Sequence, residues 1–272
     1  MKSLRSFYLT EGHFYKHVSA SEAFPFLQDK EITKPIISFV GGGGKTTTMH
    51  FLAKTFHSQG KKVLITTTTH IEIPTLDYHD FCMNEFLDDT PVYAANIDEV
   101  KFLWEQNRIV VIGTKTKEKK LSIPEATFLK MAMTSADAIL IEADGAKRLP
   151  CKVPIAKEPV ILPECNIVIG IMGIDTLGKA TAEICFRHEK AKELFGFEST
   201  HIMTSDDMVQ ILISDQGTRK SVNNRAFYIV INKCDTEEQL LAANTIAQKI
   251  ISLPEKKVQQ IIFSSHCDPR QQ

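Results

Sequence analysis

Apolar and polar positions in this chain follow two recurring patterns. Uninterrupted, β-branched apolar runs stand at IISFV (36 to 40), KVLITT (62 to 67), IVVI (109 to 112), AILIEA (138 to 143), NIVIGIM (166 to 172), FYIVIN (227 to 232) and QIIFSS (260 to 265). Runs without polar alternation predict strands covered on both faces. Between them, apolar residues recur at helical spacing: Met49, Leu52, Ala53 and Phe56 share a face before Gly60, and Leu240, Ala243, Ala247 and Ile250 share one in 237 to 250. Strands alternating with helices predict a three-layer α/β fold with a mostly parallel central sheet. The polar stretch TKTKEKK (114 to 120) reads as a solvated loop or hairpin. Residues 75 to 130 are expected to hold a strand-containing insertion, residues 1 to 33 an N-terminal extension, and the chain from 1 to 272 a single domain.

Composition narrows the class. A chain of 272 residues can bury a substantial core. A net charge of -1 argues against a nucleic-acid binder working through bulk positive charge. The opening MKSLRSFYLTEGHFYKH has no apolar stretch of signal-peptide length, and no later segment reaches the roughly 20 apolar residues of a membrane span. A soluble, cytoplasmic protein without membrane or nucleic-acid partners is expected. Cys82, Cys151, Cys165, Cys185, Cys234 and Cys267 form no C-x-x-C pair, so they read as reduced, mostly buried small hydrophobes.

Candidate chemistry begins at ISFVGGGGKTTTM, where a buried strand meets four glycines and then a helix. Successive N–H groups in such a loop can point at phosphate oxygens, side chains would obstruct them, and the helix N-terminus favours negative charge. The ordinary phosphate loop is G-x-x-x-x-G-K-[ST], whereas Gly41 to Thr46 match a shorter G-x-x-G-K-T form. A shorter loop turns more tightly, which gives one reason for glycine at every position. Gly41, Gly42, Gly43, Gly44, Lys45, Thr46 and Thr47 are therefore the candidate phosphate binders, with Lys45 on the outer phosphates and the Thr46 hydroxyl on Mg2+. A plain glycine hinge is the structural alternative.

Two further strand ends add to this. ADAILIEADGAKRLP ends a buried strand in Glu142, Ala143, Asp144 and Gly145, where an acidic residue meets Mg2+ and the glycine amide meets the γ-phosphate. Strand alternation sends Glu142 and Asp144 to the same face, so both stand as metal candidates and, with Lys45, as catalytic ones. Thr68, within TTTTHIEIP, is a further metal candidate at a strand's carboxyl end. FYIVINKCD runs a strand into Asn232, Lys233 and Asp235, an N-K-x-D placed as in guanine-specific GTPases. Its aspartate would accept from guanine N1–H and the 2-amino group, which adenine cannot match. Asp235 or Thr236 also suits a helix cap, with Gln239 completing a box from Thr236. QIIFSSH offers Ser264 or Ser265 near guanine O6. The cofactors expected are Mg2+ and GTP, with ATP as the alternative.

Taken together, FVGGGGKTT, KVLITTTTHI, LIEADGAKRLPCKVP with EPVILP, IMGIDTLGK and INKCD resemble the YqeC family, described as selenium-dependent hydroxylase accessory proteins. These blocks span roughly residues 36 to 265. The resemblance implies a P-loop NTPase-like nucleotide-binding protein that assists maturation of a molybdenum hydroxylase, with that enzyme or its cofactor machinery as partner. It leaves Lys147, Arg148, Lys152, Glu158, Asp175 and Gly178 without a role in the residue-level reading. The nickel-insertion GTPases are a more distant comparison, sharing E-x-x-G and N-K-x-D. Their Cys-Pro metal-binding element is missing here, since Cys151 follows Pro150. Mur ligases carry a comparable short glycine loop, so an ATP-dependent ligase or kinase stands as an alternative, as does a scaffold that holds nucleotide without hydrolysing it. A homodimer around the nucleotide is compatible with all three.

Overall fold

The computed structural model describes residues 6–77, 79, 89–118, 120–254 and 258–265. Strands β1 (Ser6–Glu11) and β2 (Phe14–Val18) form a hairpin; β3 (Ile36–Gly41) and β4 (Val63–Thr67) follow, then the short β5 (His70–Glu72), β6 (Leu76–Asp77) and β7 (Val92–Ala94). Next come β8 (Val110–Ile112), β9 (Thr114–Lys115), β10 (Lys120–Ser122), β11 (Ala138–Glu142) and β12 (Cys151–Lys152). The last are β13 (Ile167–Gly173), β14 (Cys185–Phe186), β15 (Ala226–Asn232) and β16 (Gln260–Ser265). Helices are α1 (Ala20–Ala23), α2 (Lys45–Ser58), α3 (Ile97–Glu105), α4 (Ala126–Ser135), α5 (Thr181–Ile184), α6 (His188–Phe195), α7 (Ser205–Ile213) and α8 (Glu237–Ile251).

The main sheet runs β2-β1-β16-β15-β13-β3-β11-β4-β8-β7-β6, and every pairing from β16 to β6 is parallel. Alternate residues of its strands enter two separate cores, as strands covered on both faces require. Ile36 and Val40 of β3 join the core built with α3, α4, α7 and α8, whereas Ile37 and Phe39 join the core built with α2 and Phe24, Phe26 and Leu27. The helical faces expected for α2 and α8 are the buried ones, and Gly60, at φ 77°, follows the end of α2.

The strand runs read from the sequence all appear, and β9 and β10, which hold the two ends of TKTKEKK, pair antiparallel. Of the stretch from 75 to 130, residues 78, 80–88 and 119 lie outside the described residues; the rest adds β6, β7 and β8 to the main sheet and puts β9 and β10 in a small sheet with β5. The N-terminal hairpin is the element the pattern did not foresee. It lays β1 antiparallel along β16, Ser6 opposite Ser265, through a turn at Gly12 with φ 59°. Its polar positions, Thr10, Glu11, Lys16 and His17, leave no continuous apolar run to read.

Cys151, Cys165, Cys185 and Cys234 are buried and unbridged; Cys82 and Cys267 lie outside the described residues. Among the described residues no helix is long and apolar enough to cross a membrane.

Candidate functional site

The chain leaves β3 through α2 toward β4 on one side of the sheet, while β13, β15 and β16 extend on the other. Such a reversal opens a crevice at the strands' carboxyl ends. Four candidate segments meet there: Gly41–Gly44 after β3, Glu142–Gly145 after β11, Gly173–Asp175 after β13, and Asn232–Asp235 after β15.

The amides of the glycine loop are bonded on three sides, to one carboxylate and two backbone carbonyls. Gly41 N donates to Asp144 Oδ2 at 3.1 Å, Gly42 N to Ile171 O at 2.8 Å, and Gly43 N to Leu149 O at 2.9 Å. Three amides expected to face phosphate thus already have protein acceptors. The loop's need for glycine has a second cause, close approach of other backbone. A Cβ on Gly43 would lie 2.4 Å from Gly173 N and 2.9 Å from Pro150 O, and φ there is +76°. A Cβ on Gly44 would lie 2.0 Å from Asn232 Nδ2. That amide is fixed, donating to Gly43 O at 2.7 Å while Asn232 Oδ1 accepts from Ser264 Oγ at 2.7 Å, so it cannot yield without losing both bonds. Gly44→Ala is expected to lower unfolding free energy by about 3 kcal/mol, from a side chain at φ 133° together with a broken buried bond. Chemical denaturation of the purified variant measures it; a loss under about 1 kcal/mol would mean the close approach is relieved cheaply.

Open donors lie one step further along. Helix α2 begins at Lys45 with Gly44 as its cap, and no side chain caps it. The first N–H groups of a helix have no intrahelical partner, and the dipole there attracts anions. Thr46 and Thr47 are exposed at this end. Lys45, 5% exposed, folds back so that Nζ donates to Gly41 O at 2.6 Å and pairs with Asp144 Oδ1 at 3.1 Å.

The two acids at the carboxyl end of β11, Glu142 within it and Asp144 just beyond, part company. Glu142 Oε2 accepts from Thr46 Oγ1 at 3.1 Å, while Asp144 turns to Gly41 N and Lys45. Burial pushes Glu142 above the ordinary carboxylate range, opposed by the charge of Lys45 and the Thr46 hydroxyl. A buried carboxylate beside a hydroxyl, both hard oxygen donors, is a pair that a divalent cation would relieve of its desolvation cost. Gly145 faces open space. Thr68 points elsewhere: its Oγ1 donates to Val160 O at 2.7 Å, and the neighbouring Thr67 Oγ1 donates to Glu142 O at 2.9 Å, fastening β4 to the acidic turn.

Asp144 also anchors a chain of charges. Lys152 Nζ lies 3.3 Å from Asp144 Oδ2 and 2.8 Å from Glu158 Oε2, and Glu158 Oε1 pairs with Arg187 at 2.9 Å. The Lys152 side chain is fully buried, which requires such partners. Its only signal in the sequence is a lysine among the apolar residues of CKVP. The segment before it, Leu149–Pro150, packs directly on Gly42 and Gly43, and Arg148 is tied to Glu72 on β5.

At the far side of the loop, Ser264 is occupied with Asn232, and Ser265 Oγ donates to Asp235 Oδ1 at 2.8 Å. The cap of α8 is Thr236, whose capping box with Gln239 is complete, so Asp235 is not the capping residue. Lys233 takes φ +65° and pairs with Asp175 Oδ2 at 2.7 Å.

The family model described as YqeC protein matches residues 37–189, which hold the glycine loop, Glu142, Asp144, Lys152 and Asp175 but end before Asn232. The uncharacterised protein YqeC of Escherichia coli (strain K12) is 31% identical over 218 residues, covering 79% of this chain and 82% of that one. No solved structure matches.

Proposed function

The chain belongs to the YqeC family, and from that premise we propose that it is a Mg2+-dependent GTP-binding protein, a GTPase that serves maturation of a selenium-dependent molybdenum hydroxylase. The observation that carries the nucleotide reading is Asn232, whose amide joins the N-K-x-D segment to the glycine loop through Gly43 O while Ser264 holds its other end. This bond couples a base-reading segment to a phosphate-binding one, which a mere glycine hinge does not need.

In this reading the uncapped start of α2 receives the phosphates, and Lys45 leaves Gly41 O and Asp144 to meet their charge. Thr46 and Glu142 would hold Mg2+, which supplies charge neutralisation at the outer phosphates. Asp235, held by Ser265, reads the purine edge. Release of Lys45 leaves Lys152 as the cation on Asp144, so the buried carboxylate stays compensated when nucleotide arrives. The accessory role rests on the family resemblance, and the client is a proposal of the same standing.

Titrating the purified protein with GTP, ATP and CTP in Mg2+ tests the nucleotide reading. GTP is expected to bind most tightly, by about tenfold or more over ATP, the value of one well-made buried contact. A preference for ATP would sink the guanine assignment and move the chain toward the ATP-dependent ligases and kinases.

A further inference from the structure

We infer that Asp175 is a positioning residue for base recognition: it fixes Lys233, the lysine of N-K-x-D, as the platform along which the purine lies. The inference rests on the guanine reading above and assigns a residue which that reading leaves idle.

Three features converge on the pair. Asp175 sits in the 3-10 turn Ile174–Thr176 that continues β13, and the register Gly173 opposite Asn232 brings that turn beside the N-K-x-D segment. The Asp175 Oδ2 to Lys233 Nζ distance is 2.7 Å, with the two side chains 28% and 36% exposed. Their geometry is held against local cost. Lys233 lies at φ +65°, where non-glycine residues are uncommon. Asp175 Oδ1 is buried and has no hydrogen-bond partner among the described residues. Gly173 leaves room for that oxygen, since a Cβ there would fall 2.2 Å from it. Backbone strain and an unmade polar contact persist when the surrounding structure over-determines them, and they concentrate at ligand sites.

The chemistry gives the reason. A lysine stem packs against a base only if its ammonium is held to one side, because a loose ammonium beside a triphosphate is drawn to the phosphates. Asp175 pins Nζ at the end of β13, and Asn232, the residue just before Lys233, is bonded to the glycine loop through Gly43 O. The carboxylate thus separates the lysine's two uses, base platform and phosphate ligand, and leaves the second to Lys45.

Asp175→Asn, which keeps the shape and removes the charge, tests this alongside Lys233→Met, which keeps the stem. Asp175→Asn is expected to weaken GTP binding about tenfold, as for loss of one partner of a half-exposed ion pair. Binding of inorganic tripolyphosphate, which has no base, is expected to stay unchanged, and Asp175→Glu to restore part of the GTP affinity. In a Lys233→Met background, Asp175→Asn is expected to add nothing. Unchanged GTP affinity in Asp175→Asn, equal losses for GTP and tripolyphosphate, or additivity with Lys233→Met would each overturn the assignment. Asp235→Asn, run in parallel, separates this failure from the larger one: if that variant also keeps its GTP affinity, the guanine reading itself is wrong. Melting curves of each variant confirm that folded protein is being compared.

Discussion

Lys45→Ala is expected to abolish nucleotide binding and to lower folding stability at the same time. Lys45 is the first residue of α2, whose start has no side-chain cap, and in the proposed reading it meets the outer phosphates, so its loss is expected to cost about 100-fold or more in affinity. The same ammonium bonds Gly41 O at 2.6 Å and faces Asp144 at 3.1 Å, with both side chains deeply buried. Removing one member of a buried pair leaves an uncompensated charge, a loss of about 3 kcal/mol, moderated here because Lys152 still faces Asp144 at 3.3 Å. Adding Asp144→Asn to Lys45→Ala is expected to recover part of the stability and none of the affinity, since it removes the stranded charge without restoring a phosphate ligand. Fluorescent-nucleotide titration and denaturant midpoints on the single and double variants measure both. A Lys45→Ala protein that binds GTP like the parent would remove the phosphate-loop reading altogether.

Asp235→Asn is expected to exchange GTP for xanthosine triphosphate, losing GTP affinity by about 100-fold while gaining the xanthine nucleotide. Ser265 determines which way the new amide points. Its hydroxyl donates to Oδ1, and it can do so equally to the carbonyl oxygen of asparagine, which leaves the NH2 group in place of the second carboxylate oxygen. An N–H donor there opposes guanine's N1–H and 2-amino donors and suits xanthine's carbonyl at that position. Ser265→Ala in the Asp235→Asn background is then expected to blunt the exchange, because the hydroxyl that orients the amide is lost. Competition titrations with the three nucleotides report it. Loss of GTP without gain of xanthosine triphosphate would place Asp235 in a structural role.

How much of this was legible beforehand differs from segment to segment. Long apolar runs announced β3, β11, β13 and β15, since a strand buried on both faces has no polar position to disguise it. The N-terminal hairpin stayed hidden because its pairing with β16 spans almost the whole chain and its own pattern is mixed. The glycine loop was plain as a candidate, yet its reason was only half visible. A tight turn accounts for some of the positive φ values, while Asn232, Gly173 and Leu149–Pro150 exclude side chains from Gly44, Gly43 and Gly42 by approach from distant segments. Alternation put Glu142 and Asp144 on one face and could not divide them. Their partners did, Thr46 for the first and Lys45 with Gly41 N for the second.

Local residue pattern suffices for the layered α/β architecture, the place of the glycine loop between strand and helix, and the order of the acidic and N-K-x-D segments along the chain. These follow from periodicity and residue type, which act over a few neighbouring positions. Which groups meet at the loop depends on long-range packing: Asn232 reaches it across 189 residues of chain and Asp144 across 103, and packing also assembles the ion-pair relay from Lys152 to Arg187. Such contacts depend on how the sheet is ordered, and strand order is settled by packing of whole elements rather than by any local run of residues.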